Sequence, residues 1–151
     1  MEKALTFSPE YLSGFYTDRY DVPAAEVAAV AKRKSNDAVK EETGALVCIE
    51  KGGKLKFDIN YQVRLIDARD YTESGYAFLR GMICGLHAGN FDIAHIFIDN
   101  LLKIVGDDVD LDETAAFLQW CEDFGAKHGI SFTVSFTADT AQLPAQMQKF
   151  C

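Results

Sequence analysis

Blocks of apolar residues predict four strands in the second two-thirds of the chain. They cover residues 45–50, 63–66, 93–98 and 130–136. A nearly continuous apolar run of this length, bounded by polar residues, is typical of a strand that is covered on both faces. The run 93–98 (IAHIFI), which lies between Asp92 and Asp99, is therefore predicted to be the central strand.

Helical periodicity fills the segments between these strands. One apolar stripe follows Thr72-Glu73 and consists of Tyr76, Leu79, Ile83 and Leu86. A second helix is predicted over residues 112–128, with Phe117, Trp120, Cys121 and Phe124 on its apolar face. The first helix also carries a row of small residues, Ala77, Gly81 and Gly85. A glycine inside a helix costs about 1 kcal/mol relative to alanine, so we expect this row to pack closely on the sheet.

The first sixty residues predict helices and a hairpin. Ser8-Pro9 and Asp21-Val22-Pro23 are typical of helix starts, and residues 24–42 are rich in strong helix formers. The stripe of this helix is narrow, which suits packing against one neighbouring element or a dimer partner better than a deep core position. Gly52-Gly53 is a hairpin signal, and residues 54–60 alternate between apolar and charged side chains, which favours an antiparallel ribbon.

The order strand, helix, strand, helix, strand from residue 63 onward is typical of parallel strands joined by right-handed crossovers. We therefore predict one α/β domain over residues 1–151, with a helical N-terminal segment (1–43) and a sheet core (44–151). The predicted architecture is a three-layer mixed sheet with a parallel βαβαβ core and an antiparallel hairpin at one edge. A chain of 151 residues is of the usual size for a single domain.

Charge and hydropathy narrow the classes of partner and the compartment. The formal net charge is −8, and the basic cluster Lys32-Arg33-Lys34 has no interleaved aromatic residues. Nucleic acid and anionic membranes are therefore not expected as partners. The sequence has no apolar run long enough for a transmembrane helix and no apolar signal core, so we expect a cytoplasmic protein.

The four cysteines do not form a recognisable metal or redox motif. No Cys-x-x-Cys pair occurs, which excludes the common zinc and redox motifs. Because free cysteines are among the most buried residues, Cys48, Cys84 and Cys121 are predicted to be buried free thiols, and Cys151 lies at the tail. His87 follows Cys84 by three positions, which is half of a metal site at most. His95 is predicted to be a core histidine whose hydrogen bonds are satisfied.

Polar residues follow three of the predicted strands and form the candidate site. They are Asp67 after the second strand, Asp99 with Asn100 after the third, and Ser135 with Thr137 at the fourth. Ligands of open parallel sheets bind outside the carboxyl ends of the strands. Carboxylates there suit Mg²⁺ or the activation of a water molecule, whereas the alternative is that these residues only cap the loops.

Residues 94–144 resemble the second half of a RecA-like ATPase core of the circadian-clock-ATPase type. The resemblance rests on the apolar strand that ends in Asp99-Asn100-Leu101, in the position of a Walker-B motif, and on the loop, helix and strand that follow. It implies a RecA-like fold in which Asp99 is at most a relic of the Walker-B position, in a domain used for binding or regulation. The chain has no Gly-x-x-x-x-Gly-Lys-Ser/Thr sequence, so the phosphate cradle of this family is missing and hydrolysis of ATP is not expected.

Two functions remain open from the sequence. The first is a non-catalytic regulatory or protein-interaction domain of degenerate RecA-like type, homodimeric and without a cofactor. The alternative is a small enzyme that depends on a nucleotide or on Mg²⁺, with its site at the carboxyl ends of the parallel strands.

Overall fold

A computed structural model of the chain describes residues 2–7, 35–40, 42–106, 108, 110–137 and 143–148. The strands are β1 (Glu2–Phe7), β2 (Ala45–Glu50), β3 (Val63–Asp67), β4 (Ile93–Ile98) and β5 (Ser131–Thr137). Residues 35–40 are helical and are labelled α1. The other helices are α2 (Gly75–Gly89), α3 (Leu101–Val105), α4 (Leu111–His128) and α5 (Ala145–Gln148), and Ala68–Asp70 form a 3₁₀ turn.

The strands form one sheet in the order β1-β5-β4-β2-β3. β2 pairs in parallel with β3 on one side and with β4 on the other, and β4 pairs in parallel with β5. The prediction of an α/β fold with β4 inside a run of parallel strands is therefore confirmed. At the far edge, β1 pairs antiparallel with β5.

The predicted hairpin is wrong. Residues 54–58 form turns instead of a strand, and the strand that follows β2 runs parallel to it. The chain between β2 and β3 therefore crosses over one face of the sheet. Its alternating pattern does not mark a strand face, since Leu55 is buried while Phe57 is 91% exposed. The antiparallel strand of the sheet is β1, where no strand was predicted.

The larger part of the core lies between one face of the sheet and helices α2 to α5. Strand residues such as Val47, Ile96 and Val134 meet Leu79 and Ile83 of α2 and Phe117 and Cys121 of α4 in one buried cluster. The Tyr76 hydroxyl lies 2.6 Å from Thr114 Oγ1, so a buried hydrogen bond also joins α2 to α4. The apolar stripes predicted from helical spacing are thus the faces that these helices bury.

A smaller cluster covers the other face of the sheet. Leu46, Cys48, Val63 and Phe97 from three strands contact Ala38 of α1 and Leu55 of the β2–β3 connection. The described residues on this face include one short helical stretch, so the third full layer of the predicted architecture is not shown by them. The predicted helix from Ser8, the cluster Lys32-Arg33-Lys34 and most of the predicted helix 24–42 lie outside the described residues.

The row of small residues in α2 does not pack on the sheet, which corrects the prediction. Gly81 and Gly85 are exposed, and among the described residues a Cβ atom at either position would meet nothing within 4 Å. The helix packs through Leu79 and Ile83 instead, and its glycine row points away from the core. In the part of the chain that the structure describes, no helix is both long and apolar enough to span a membrane.

Gly125 in α4 is needed for close contact with β5, and its substitution tests the packing of that helix. A Cβ atom there would collide with the carbonyl oxygen of Ile130 and touch the ring of Phe132. Helix propensity alone predicts that Gly125→Ala gains about 1 kcal/mol, whereas overpacking costs about 1–3 kcal/mol. Because the clash is with a backbone atom, which cannot move aside as a flexible side chain does, the upper end of that cost applies, and we expect a net loss of about 2 kcal/mol in urea unfolding. The control, Ala126→Gly at an exposed neighbour, loses about 1 kcal/mol from propensity alone. Equal stability of Gly125→Ala and the unmodified protein would contradict the packing.

Candidate functional site at the carboxyl edge of the sheet

The parallel pairing of β2, β3, β4 and β5 brings their carboxyl ends to one edge of the sheet. Asp67 ends β3, Asp99 and Asn100 follow β4, and Ser135 and Thr137 lie near the end of β5. The structure thus places the five predicted residues along one edge, as the sequence indicated. The side chains of four of these residues are described, and that of Thr137 is not. Hydrogen bonds divide the four into two separate groups.

The first group joins β4 to β5. The Ser135 hydroxyl donates to Asp99 Oδ1 at 3.0 Å, and the backbone N–H of Asn100 donates to Ser135 Oγ at 2.9 Å. Ser135 is only 1% exposed. Asn100 has a φ of 56°, a left-handed conformation that asparagine adopts more readily than most residues, and it turns the chain into α3. These contacts give the three residues a structural role at the strand ends.

The second group surrounds Asp67. Its carboxylate accepts hydrogen bonds from the backbone N–H groups of Gly52 and Arg69 and from the Arg69 guanidinium, whose shortest bond is 2.7 Å. These bonds, above all those from the Arg69 side chain, lower the pKa of Asp67 to about 2. Gly53 has a φ of 68° and lies directly against the Arg69 guanidinium. A Cβ atom at this position would stand only 2.7 Å from the guanidinium, so a larger residue would crowd it. The glycine pair therefore shapes the loop that holds this ion pair.

Glu50 lies between the two groups and was missed by the sequence reasoning. It ends β2, which is flanked by β3 and β4 in the sheet, and it is 1% exposed. Its carboxylate accepts from the backbone N–H of Leu55 at 3.2 and 3.4 Å. Burial raises the pKa of Glu50, and the charges of Asp67 and Asp99 raise it further. The signal was present, since Glu50 ends an apolar strand as Asp67 does, but the hairpin prediction concealed it.

A cavity of about 590 Å³ opens beside Glu50 and Asp67 on the face of the sheet that the β2–β3 connection crosses. Arg69 and Asp70 line it at the carboxyl edge, and its other walls are Gly52, Gly53, Lys56, Ile59, Tyr61, Val63 and Leu65. Asp99, Asn100 and Ser135 are not among the lining residues. The predicted site residues therefore do not share one cleft.

The arrangement does not supply a ligand set for a metal ion. Within the described ranges, no group of three or more His, Cys, Asp or Glu side chains is placed to hold one. The two groups at the edge keep their oxygens occupied by internal hydrogen bonds, and a divalent cation needs several oxygens on one side. The two carboxylates differ in their surroundings, since burial raises the pKa of Glu50 whereas the hydrogen bonds from Arg69 lower that of Asp67.

His95 has a hydrogen-bond partner on each ring nitrogen. Nδ1 lies 2.6 Å from Glu42 Oε1 and Nε2 lies 2.8 Å from Thr133 Oγ1, while the ring stacks on Phe97 with centroids 4.0 Å apart. The residue is 6% exposed. The prediction of a satisfied core histidine is confirmed.

The cysteines only partly follow the prediction. Cys48 and Cys121 are buried, and burial raises the pKa of both thiols. Cys84 is exposed, so its predicted burial is wrong. The cause is its place in α2, on the side of the helix that faces away from the sheet. The Cys84–His87 half-site finds no third ligand among the described residues.

Comparison with known proteins places the chain in no family, because no family model, no curated protein and no solved structure matches it. The resemblance to a RecA-like core stays a prediction, and the function is inferred from the geometry.

The ion pair of Asp67 predicts a defined dependence of stability on pH. Because folding lowers its pKa, the pair stabilises the protein above the ordinary pKa of 3.8, and this contribution is lost as the pH falls towards about 2. The Arg69 side chain is 57% exposed, so solvent screening reduces the expected contribution to about 1 kcal/mol. Asp67→Asn should lower the free energy of unfolding by that amount at about pH 6 and by almost nothing at about pH 2.

Urea unfolding at both pH values measures this difference. In the control, Arg69→Gln should cost less stability when it is introduced into Asp67→Asn than into the unmodified chain. A difference between the unmodified protein and Asp67→Asn that persists unchanged at low pH would contradict the assignment.

Proposed function

We propose that this protein is a non-catalytic interaction domain that forms a homodimer through the exposed face of α2. Following the resemblance of residues 94–144, we also propose that the domain is a degenerate RecA-like core. The Ser135 hydroxyl donates a hydrogen bond to the Asp99 carboxylate. This contact supports the proposal that the residue in the Walker-B position now has a structural role.

The glycine row of α2 carries the proposal of self-association. Gly81, Gly85 and Gly89 recur every four residues, and each leaves open space where a Cβ atom would stand. Each glycine inside the helix costs about 1 kcal/mol relative to alanine. No contact among the described residues offsets that cost, whereas a helix packed closely on this row would do so. Rows at four-residue spacing form the grooves of the commonest helix packing.

The residues around this row favour association. The exposed face consists of small residues without charge, namely Ala77, Gly81, Cys84, Gly85 and Ala88. Beside it a groove of about 480 Å³ runs between α2 and β3, with Tyr71, Phe78 and Met82 among its lining residues. The ring of Tyr71 lies near that of Phe78, and Tyr71 is 51% exposed, so it is accessible to a partner. The groove has aromatic and aliphatic walls, with Arg64 also among its lining residues. An uncharged helix face beside such walls is typical of an interface.

A second copy of the chain is the partner that this face fits best. The chain carries a net charge of −8, so two copies repel each other over most of their surface. The α2 face avoids this repulsion, because none of its exposed residues is charged. The two copies of one glycine row also provide matching grooves, and the aromatic side chains beside each row can fill the groove of the partner.

The alternative of an enzyme at the carboxyl edge has weaker support. It required Asp67, Asp99 and Ser135 to act together, and their hydrogen bonds divide them between two groups. The features that first indicated a dimer also change: residues 54–58 form turns, and the predicted N-terminal helices are mostly outside the described residues. The proposal therefore rests on α2.

Cys84 provides a direct test, because it lies on the α2 face. In a Cys151→Ser background, mild oxidation or a short bis-maleimide should link two chains through Cys84. Cys48 and Cys121 are buried and should not react. The matched control moves the thiol to the exposed face of α4 with Cys84→Ser and Ala116→Cys, and it should remain uncrosslinked. Equal crosslinking of the two variants would show random collision and contradict the interface.

Gly81→Leu tests the close approach of the two helices. The structure leaves space for the side chain within one copy, so the fold should persist. In a packed interface the added bulk costs about 1–3 kcal/mol, which weakens dimerisation about fivefold or more. Analytical ultracentrifugation over a concentration series measures the change, and Ala116→Leu on α4 serves as the control. A monomeric unmodified protein, or an unchanged dimer in Gly81→Leu, would overturn the proposal.

A further inference from the structure

The cavity beside Glu50 lies on the face of the sheet opposite α2 and has a distinct division of character. At one end stand Glu50, Asp67 and Arg69, where β2 and β3 finish. Along its length lie Ile59, Val63 and Leu65, which belong to the smaller apolar cluster or pack against it. The cavity is thus polar at one end and apolar along its wall.

Among these polar groups, Glu50 has the carboxylate that accepts the fewest hydrogen bonds. It is 1% exposed, and the described residues offer its carboxylate one donor, the N–H of Leu55. A carboxylate has about four lone-pair positions for hydrogen bonds. Buried carboxylates are ordinarily paired with a cation or with several donors. The lining of the cavity therefore contains a charge that a ligand could compensate.

Among the described residues, neither cation that lines the cavity forms an ion pair with Glu50. The guanidinium of Arg69 binds Asp67 at 2.7 and 3.0 Å. Lys56 lies with its ammonium over the ring of Phe57, 5.9 Å from the centroid, and both side chains are exposed. The charges of Asp67 and Asp99 act on Glu50 as further negative charge, which the positive charge of Arg69 offsets in part. A positively charged ligand is favoured there over an anion or a neutral molecule.

We propose that this cavity binds a small organic amine, with its ammonium group on Glu50 and its apolar part against Ile59, Val63 and Leu65. Tyr61 stands at the rim and is 92% exposed, so its ring is available to cover a bound cation. A bare divalent metal ion suits the cavity less well, since no group of three ligating side chains occurs in the described part of the chain.

Three probes of the same shape test the charge requirement: benzylamine, benzyl alcohol and benzoate. NMR titration of the ¹⁵N-labelled protein should show saturable shifts for benzylamine at the amides of Leu55, Tyr61 and Leu65. Benzyl alcohol should bind at least tenfold more weakly, and benzoate should cause no saturable change. Equal affinity for the amine and the alcohol, or benzylamine shifts only at other amides, would overturn the proposal.

Glu50→Gln keeps the shape of the side chain and removes its charge. It should weaken benzylamine at least tenfold and leave the affinity for benzyl alcohol unchanged. Asp70→Asn removes an exposed carboxylate from the same lining and is the matched control, with an expected change below threefold. Unchanged amine affinity in folded Glu50→Gln, shown by its thermal transition, would contradict the assignment. Repeating the titration in Gly81→Leu separates this site from dimerisation, because the two surfaces lie on opposite faces of the sheet.

Discussion

The burial of β4 inside the sheet is the constraint on which the rest of the structure depends. Parallel neighbours pair with both of its edges, and both of its faces are covered. Successive side chains of a strand point to opposite faces, so Ile96 and Ile98 join the helical core. His95, Phe97 and Asp99 consequently point to the other face. The polar members of that set must find partners inside the protein, because an unpaired buried polar group is costly.

The polar groups on this face follow that requirement closely. Glu42 and Thr133 bind His95, and Ser135 binds Asp99. Groups with partners of this kind hold strands and connections in place, so residue types that suggest chemistry also serve in structural contacts here. Glu50 differs, since a single backbone N–H approaches its carboxylate. The distinction between a structural and a binding role therefore depends on hydrogen-bond partners, which residue type alone does not reveal.

Local sequence patterns predict four of the five described strands and the longer helices, and non-local packing explains the errors in the connections. β4 is a nearly continuous apolar run with polar ends, and α4 has a clear helical stripe. Asp110 caps α4 by accepting a hydrogen bond from the backbone N–H of Asp112. The hairpin failed because Gly52-Gly53 marks a sharp loop in either a reversal or a crossover. Which one occurs depends on the pairing of β2 with β4, residues far apart in the chain. Glu50 remained hidden for the same reason.

The glycine row of α2 shows a different limit of sequence reasoning. Small residues at four-residue spacing indicate close approach to another surface, and that inference does not identify the surface. In this fold the sheet already contacts Leu79 and Ile83, so the glycines face outward. Exposed positions of α4 carry acidic residues such as Asp112, Glu113 and Asp123, and two such faces repel each other. If α2 of one copy packs against α2 of the other, the uncharged face is removed from water. The acidic face of α4 then stays away from the centre of the contact. The cost of the glycines and the distribution of charge thus favour the same surface for association.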